Sequence, residues 1–251
     1  MISYAQNFED VMLMRVFNGK TNGFYIDVGA WHPVNHSVTK YFYDLGWSGI
    51  NVEPAEKYAK LLDKQRLRDI NLRCVVGDSS DVVSYWEVPG SGASTTLHDS
   101  WGKVVEQGSL ADGTVQRKVE CRALSEICAQ YAKEKEVDFL KIDVEGAERS
   151  VIASGDWKKY RPIVVIVEAV APFSNTPNHA EWEDLLKQSG YVFAYFDGLN
   201  RFYVRKESVE LLPCFSVPPN VFDGFRRYED TGKWYKRFSF GRLWLAIGIG
   251  F

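Results

Sequence analysis

Three short apolar segments of the chain each end at a carboxylate. They occupy residues 24–30, 49–54 and 139–148, and their acids include Asp27, Glu53 and Asp143. If the segments are strands of an open parallel sheet, their carboxyl ends line one ligand crevice. Acids gathered there suit a ligand that carries positive charge and sugar hydroxyls. S-adenosylmethionine (SAM) has an ammonium, a sulfonium and a ribose, so these residues predict a methyl-transfer enzyme.

The loop after the first segment argues against a dinucleotide cofactor. It reads Asp-Val-Gly-Ala-Trp-His-Pro from residue 27. A dinucleotide fingerprint has three glycines, which let a pyrophosphate approach the start of a helix. Here Gly29 stands alone beside the bulky Trp31, and Asp27 would repel a pyrophosphate. An NAD-dependent reductase or epimerase is therefore disfavoured, whereas Asp27 suits the ammonium end of a methionine group.

Two further acids are candidates for the nucleoside part of the cofactor. Glu53 has the spacing from Gly29 that is typical of an acid receiving ribose hydroxyls. Asp78 follows a predicted third strand at residues 71–76 and has two interpretations. It accepts a hydrogen bond from the adenine amino group, or it belongs to the turn sequence Gly-Asp-Ser-Ser.

The fourth strand is followed by the densest group of charges in the chain. The run at residues 141–148 reads Lys-Ile-Asp-Val-Glu-Gly-Ala-Glu. Asp143 and Glu145 come at the strand's carboxyl end, so we expect both to face the crevice. Glu148 is interpreted as an acid in the first turn of a helix, where the helix dipole favours negative charge.

Methyl transfer to a hydroxyl needs positioning of the two reactants and a group that takes the hydroxyl proton. The catalytic residues we predict are Asp143, Glu145 and His32, with His36 and Glu168 as further candidates for the base. His32 has an alternative role as a loop residue that hydrogen-bonds locally. Another alternative is a divalent cation held by Asp143, Glu145, Glu168 and a histidine. Because the sequence has no dedicated metal motif, we predict no metal.

The elements that must position these residues alternate between strand and helix, which favours a doubly wound α/β sheet. We predict strands at 24–28, 50–53, 71–76, 82–88, 116–121, 137–142, 163–167, 191–196 and 201–205, and helices at 9–17, 37–45, 55–67, 123–133, 147–154 and 180–189. Ser37 is the expected N-cap of its helix. The last two strands flank a turn at 197–200, which predicts an antiparallel hairpin at the C-terminal edge. Residues 89–113 lack periodicity and are predicted to form a lid.

Composition places the chain among ordinary globular proteins. It has 251 residues, 45 % hydrophobic and 25 % charged, with a net charge of −3. This balance argues against nucleic acid as a partner. The four cysteines match no metal or redox spacing, and the N-terminus lacks the pattern of a signal peptide. We therefore expect a cytoplasmic protein.

The motifs above resemble those of the FkbM family of SAM-dependent methyltransferases. The resemblance covers residues 24–33, 37–54 and 137–155, and the run at 141–148 is its most recognisable part. The opening at residues 3–10, Ser-Tyr-Ala-Gln-Asn-Phe-Glu-Asp, is similar as well. Residues 92–95, 168–172, 182–183 and 197–203 look like a bacterial subgroup linked to surface polysaccharide. Trp31 and His32 depart from the family pattern, and we assign them to the acceptor side.

This resemblance implies a class I methyltransferase fold, which is a Rossmann-like doubly wound sheet, and O-methylation, often of sugars. It also implies SAM as cofactor and S-adenosylhomocysteine (SAH) as product. The cofactor-binding residues that motif and resemblance together predict are Gln6, Asp27, Gly29, Ala30, Ser37, Glu53, Pro54, Asp78, Ser79 and Asp143. Trp31 and Trp101 are candidates for an aromatic platform under a sugar acceptor.

The chain is divided by prediction into an N-terminal helical segment at 1–22, a methyltransferase domain at 23–206 and a C-terminal extension at 207–251. The tail has a basic run at 233–237 followed by an apolar, aromatic stretch. Such a tail can lie on the inner face of a membrane, dock on its own domain or contact a second subunit.

The sequence therefore predicts an O-methyltransferase that acts on a sugar hydroxyl of a bacterial surface glycan or its precursor, such as a nucleotide sugar or a lipid-linked sugar. One alternative is an O-methyltransferase for a small secondary metabolite. Another is a catalytically silent SAM-binding module in a glycan assembly complex.

Overall fold

The computed structural model describes residues 1–79, 81–87, 95–96, 115–171 and 174–231. The strands are β1 (Ile2–Ser3), β2 (Phe24–Val28), β3 (Ser48–Val52), β4 (Ile70–Leu72), β5 (Val75–Val76), β6 (Val82–Glu87), β7 (Thr95–Thr96), β8 (Val115–Arg122), β9 (Phe139–Ile142), β10 (Val164–Glu168), β11 (Tyr191–Phe196), β12 (Asn200–Arg205) and β13 (Arg226–Arg227). The helices are α1 (Glu9–Val16), α2 (Lys40–Asp44), α3 (Glu56–Gln65), α4 (Leu124–Tyr131), α5 (Glu148–Ala153) and α6 (Glu183–Gln188). Short 3₁₀ segments cover His179–Glu181, Lys206–Phe215 and Val221–Asp223.

A seven-stranded sheet organises the chain, in the order β11-β12-β10-β9-β2-β3-β4. Its strands are parallel except β12, which is antiparallel to both β10 and β11. The strand order reverses between β2 and β9, and ligands bind outside the carboxyl ends of the strands at such a point. The predicted sheet with its antiparallel hairpin at the C-terminal edge is therefore confirmed.

Both faces of this sheet are covered, as a doubly wound fold requires. On one face, strand residues such as Ile26 and Val165 pack with α4, α5 and α6. On the other face, Tyr25 and Phe139 pack with α1, α2 and the segment Lys206–Phe215. Alternate residues of the same strand thus enter different cores, which explains why the central strands read as continuous apolar runs.

The predicted third strand at 71–76 is wrong, because the structure divides it between two sheets. Ile70–Leu72 pairs with β3, whereas Val75–Val76 pairs with β8 in a smaller sheet of order β5-β8-β6-β7. The pairing with β8 carries the chain away from the central sheet. Within the predicted lid at 89–113, Thr95 and Thr96 pair with β6 as β7. The rest of that lid, with Trp101, lies outside the described residues.

Two predicted helices are also corrected. The first helix after β2 begins at Lys40 with Thr39 at its N-cap, not at Ser37. The Ser37 hydroxyl, the predicted cap of this helix, instead accepts a hydrogen bond from the Arg66 guanidinium (2.8 Å). The helix predicted at 180–189 is a 3₁₀ turn followed by α6, with the buried Trp182 between them.

The two ends of the described chain meet. Strand β1 pairs in parallel with β13, and the Tyr4 and Tyr228 rings lie 4.9 Å apart. The N-terminal segment and residues 207–231 therefore pack against each other. Residues 232–251, which include the basic and aromatic part of the predicted extension at 207–251, lie outside the described residues. Among the described helices, none is long and apolar enough to cross a membrane.

Arg66 lies at the C-terminal end of α3 and is almost completely buried, with 1 % of its surface exposed. It donates to the carbonyl of Pro33 (2.9 Å) and to the hydroxyls of Ser37 (2.8 Å) and Tyr25 (3.3 Å). Its guanidinium lies 3.7 Å from the Asp69 carboxylate. One cation thus ties the loop after β2 to the sheet beneath it.

We expect Arg66→Met to lower the free energy of unfolding by about 3–5 kcal/mol, because it removes the cation that pairs with a buried carboxylate. Urea unfolding measures this change. The matched control is Arg73→Met, whose side chain is 50 % exposed, and it should change stability by less than about 0.5 kcal/mol. Equal unfolding midpoints for the two variants would contradict the role assigned to Arg66.

Candidate active site

The site begins at the contact between the loop after β2 and the end of β9. Gly29 has φ +81°, and a Cβ atom there would lie 1.8 Å from the Asp143 carbonyl oxygen. Its N–H and that of Ala30 both donate to the Val52 carbonyl. Only glycine permits this backbone conformation and this approach together. The single glycine of the first loop therefore joins the carboxyl ends of three neighbouring strands.

A buried lysine lies at the centre of this contact. The Lys141 ammonium donates to the Gly29 carbonyl (2.9 Å) and lies 3.1 Å from Asp143 Oδ2 and 3.5 Å from Asp27 Oδ1. Burial alone would lower the pKa of Lys141, but Asp143 and Asp27 together raise the pKa above its usual value. Lys141 therefore stays charged and fixes the Asp143 carboxylate at the crevice.

Asp27 belongs to a buried polar row that crosses four strands. It is aligned in register with Lys141 on one side and with Asn51 on the other, and Asn51 is aligned with Asn71. Asp27 Oδ2 accepts from the Thr39 hydroxyl (3.2 Å), whereas its Oδ1 has no hydrogen bond. Asp27 is 1 % exposed, so its observed contact with the crevice is through Lys141.

Three acids converge where β9 and β10 end. One carboxyl oxygen from each of Asp143, Glu145 and Glu168 lies within 4.8 Å of the other two. Glu145 has φ +54° and is followed by Gly146 at φ +99°, so the chain turns sharply between β9 and α5. Left-handed backbone at a non-glycine residue carries strain, and such residues cluster at functional sites.

Crowding of these acids changes their protonation. Burial, followed by repulsion from Asp143, raises the pKa of Glu168 to about 10 and that of Glu145 to about 8. Glu148 is buried as well, which raises its pKa to about 7, and it accepts from the amides of Val144 and Gly146. Glu145 and Glu168 therefore hold protons at neutral pH unless a positive ligand enters, as expected of carboxyls buried beside a like charge.

Glu53 lies at the end of β3, where the sequence places it, and both of its oxygens have backbone partners. They accept from the amides of Trp31 and Ala55, each at 2.8 Å. Burial raises the pKa of Glu53 to about 7. Each carboxyl oxygen has a second lone pair, so Glu53 keeps acceptor capacity for a ribose hydroxyl.

His32 makes the local contacts considered as its alternative role. Its Nδ1 accepts from the amides of Val34 and Asn35, both at 3.0 Å. Burial lowers the pKa of His32, and the positive charges of Lys57 and Arg66 act in the same direction. The ring is therefore neutral at pH 7 with its proton on Nε2.

The other predicted cofactor residues occupy several positions. Ser37 is buried behind the loop, where it contacts Arg66, and the Pro54 carbonyl accepts from the Tyr85 hydroxyl. Asp78 is exposed and accepts from the Ser150 hydroxyl of α5 (2.7 Å). Ser79 accepts from the Asp81 amide, and Gln6 is exposed between β1 and α1. The structure thus brings Asp27, Gly29, Ala30, Glu53 and Asp143 together, and it gives Ser37 and Asp78 other partners.

Sequence reasoning missed two residues that join the N-terminal segment to this sheet edge. Asn200, aligned with Glu168 across the sheet, donates to Glu9 Oε1 (2.8 Å). Glu9 is buried, which raises its pKa to about 8, and its other oxygen accepts from the Asn7 amide. The sequence feature that could have indicated a buried role for Glu9 is its position as a charged residue at the start of an apolar helix.

An aromatic group borders the first loop. The Trp31 ring lies 5.5 Å from each of the rings of His36 and Tyr58, and 5.9 Å from that of His32. Trp31 has φ +46°, and its indole Nε1 is buried without a hydrogen-bond acceptor. A ligand oxygen is the kind of partner that this nitrogen lacks.

Comparison with known families decides between the ligands that this edge fits. The sequence model described as "Methyltransferase FkbM domain" matches residues 27–193, about two thirds of the chain. The chain belongs to the FkbM methyltransferase family. It is therefore a SAM-dependent methyltransferase, as the strand-end acids predicted. Several carboxyls around one lysine fit the sulfonium and the ammonium of SAM, and Glu53 fits its ribose.

Other comparisons add little to the family match. Among solved structures, the methyltransferase is similar to an O-methyltransferase from Bacillus cereus in complex with SAH, at 15 % identity and a TM-score of 0.37. That match covers 81 % of this chain and 80 % of the other. No curated protein matches the sequence significantly.

We expect Gly29→Ala to lower the free energy of unfolding by about 2–5 kcal/mol, since its Cβ collides with backbone and its φ is positive. Gly19→Ala is the matched control, because Gly19 has φ +80° but no atom within 4 Å of its would-be Cβ. The control should lose only about 1–2 kcal/mol, the cost of a left-handed backbone. Chemical denaturation compares the two, and a loss at Gly29 no larger than at Gly19 would rule out the close approach to Asp143.

Glu9 should make stability depend on pH. Its pKa is 4.5 when exposed and about 8 when folded, so the folded state holds the proton longer and stability falls as pH rises between these values. Glu9→Gln removes this loss. Relative to wild type, the variant should gain roughly 1–3 kcal/mol between pH 5.5 and pH 8.5.

Thermal and urea unfolding at the two pH values measure that gain. The control is Glu210→Gln, which replaces an exposed acid and should give the same difference from wild type at both pH values. A gain for Glu9→Gln that does not change with pH would contradict the role of burial.

Proposed function

We propose that this methyltransferase transfers the methyl group of SAM to a hydroxyl of a sugar in a bacterial surface glycan or its precursor. The observation that carries the proposal is the convergence of Asp143, Glu145 and Glu168 near Lys141, at the ends of β9 and β10 and next to the point where the strand order reverses. A hydroxyl acceptor has a proton to lose, and this is where the chain concentrates groups that can take one.

Some residues of the site bind SAM, and another removes the proton from the acceptor hydroxyl. SAM supplies an activated methyl group when it is bound. We assign its binding to Gln6, Asp27, Gly29, Ala30, Ser37, Glu53, Pro54, Asp78, Ser79 and Asp143. The acceptor oxygen attacks the methyl carbon in line, the O–C bond forms as the S–C bond breaks, and the hydroxyl proton passes to a carboxylate. Glu145, whose pKa is about 8 in the free protein and which the positive charge of bound SAM favours in its ionised form, is our choice for that carboxylate.

A sugar acceptor is supported by the aromatic group at the first loop. Trp31 and Tyr58 present apolar ring surface beside the crevice, and the unpartnered Trp31 Nε1 can donate to a sugar hydroxyl. Aromatic faces with a nearby polar donor suit carbohydrate, which has both apolar C–H surface and hydroxyls. A small secondary metabolite remains the second candidate acceptor.

A cytoplasmic location, with the C-terminal tail at the inner face of a membrane, fits a lipid-linked precursor. Two apolar residues of the extension, Val221 and Phe222, are 87 % and 95 % exposed. They are available for contact with a lipid surface or with a second copy of the chain. The tail itself contributes basic and aromatic residues by sequence.

Methyl transfer from labelled SAM to a panel of nucleotide sugars, lipid-linked glycans, monosaccharides and small phenols tests this function. Labelling of sugars alone supports the proposal, whereas labelling of phenols alone favours the secondary-metabolite alternative. SAM binding by calorimetry with no transfer to any acceptor favours the silent module. Absence of binding to both SAM and SAH would overturn the whole assignment.

Asp143→Asn should lower the rate of methyl transfer at least 100-fold, because it removes the carboxylate that Lys141 holds at the crevice. Initial rates with labelled SAM measure this loss. Asp63→Asn, an exposed substitution on α3, is the control and should keep the wild-type rate. Near-normal turnover of Asp143→Asn would remove Asp143 from the catalytic machinery.

A further inference from the structure

The acid group at the ends of β9 and β10 is compact enough for its carboxylates to converge on one metal ion. One oxygen of each of Asp143, Glu145 and Glu168 lies within 4.8 Å of the other two. Ligands on opposite sides of an ion are separated by ~4.2 Å for Mg²⁺ and ~4.8 Å for Ca²⁺, given bonds of ~2.1 and ~2.4 Å. Small side-chain movements therefore let all three carboxylates reach one cation.

A second observation is independent of these distances. Glu168 is 9 % exposed, and its Oε2 is buried without a hydrogen-bond partner. A buried carboxyl oxygen that lacks a donor is costly. Glu168 can hydrogen-bond to the Asp143 carboxyl only when it is protonated, and the described backbone and basic side chains supply no donor to its ionised form. The oxygen belongs to a side chain that reaches into the acid group, so a cation there would give it a partner.

The described lysines and arginines do not neutralise Glu145 and Glu168. Lys141 is already committed to Asp143, Asp27 and the Gly29 carbonyl. Within residues 1–79, 81–87, 95–96, 115–171 and 174–231, no lysine or arginine forms an ion pair with Glu145 or Glu168. The donors are carboxylate oxygens, without a thiol or an imidazole, and such a set favours Mg²⁺ or Mn²⁺ over Zn²⁺.

We propose that Asp143, Glu145 and Glu168 bind a divalent cation, Mg²⁺ or Mn²⁺, and that this ion binds hydroxyl oxygens of the acceptor. The binding site stands on the geometry alone, whereas the role of the ion rests on the proposed function. Three single-oxygen ligands leave coordination positions for two adjacent sugar hydroxyls.

When the ion is bound, the acids act as metal ligands and not as proton acceptors. With the ion bound, the three carboxylates are ligands, and the bound hydroxyl has a lowered pKa and loses its proton to water. Its oxygen then forms the bond to the methyl carbon while the S–C bond breaks, and that electron pair stays on sulfur.

Titration of the full chain with Mn²⁺, followed by electron paramagnetic resonance without SAM or acceptor, tests the site. We expect wild type to bind one Mn²⁺, Glu168→Gln to raise the dissociation constant at least tenfold, and the exposed control Glu181→Gln to bind as wild type does. Failure of wild type to bind at millimolar Mn²⁺ would overturn the proposal. Wild-type affinity in Glu168→Gln would overturn it as well.

Melting curves separate loss of the ion from loss of folding. In EDTA, Glu168→Gln should melt no lower than wild type, because it removes a crowded buried acid, and added Mn²⁺ should raise the melting temperature of wild type only. SAM titration in EDTA tests the proposed function separately. Binding of SAM without any binding of Mn²⁺ overturns the ion site alone, and binding of Mn²⁺ without SAM overturns the function alone.

Discussion

A buried ammonium joins the two strands between which the sheet reverses its order. Lys141 of β9 lies beside Asp27 of β2 and donates to the carbonyl of Gly29 in the loop that follows. That loop in turn touches the backbone of Asp143, which is possible only because Gly29 has no side chain. The position of Asp143 therefore depends both on the charge of Lys141 and on the absence of a Cβ atom at Gly29. Both features shape the crevice.

The same region contains more acidic groups than the described lysines and arginines pair with. Glu53, Glu145 and Glu168 all have raised pKa values because burial and neighbouring acids disfavour their charged forms. An arrangement of this kind costs stability in the free protein and is relieved when a positive ligand enters. The excess acid thus favours ligands with a sulfonium, an ammonium or a metal ion over anionic ones such as a pyrophosphate.

The central strands, the hairpin at 197–200 and the acids at the strand ends could be predicted from the sequence. Each of them has a short-range pattern of apolar runs, turn residues or spacing. The contacts that were missed have no such pattern. Asn200 donates a hydrogen bond to Glu9, which lies 191 positions away in the chain. Arg66 donates to the hydroxyl of Ser37, which the sequence predicts to cap a helix. The third strand was misread for the same reason, because its pairing with β8 depends on a segment 46 positions away.

The choice of proton acceptor follows from hydrogen bonds already made. His32 uses its Nδ1 lone pair for the amides of Val34 and Asn35, which leaves a protonated Nε2 that can donate but not accept. For His32 to act as the base, its ring would have to leave both amides and expose them. Glu145 needs no such rearrangement, since no hydrogen bond to a described residue holds its carboxyl. We therefore infer that the acids at the ends of β9 and β10 remove the acceptor proton, directly or through an ion that they hold.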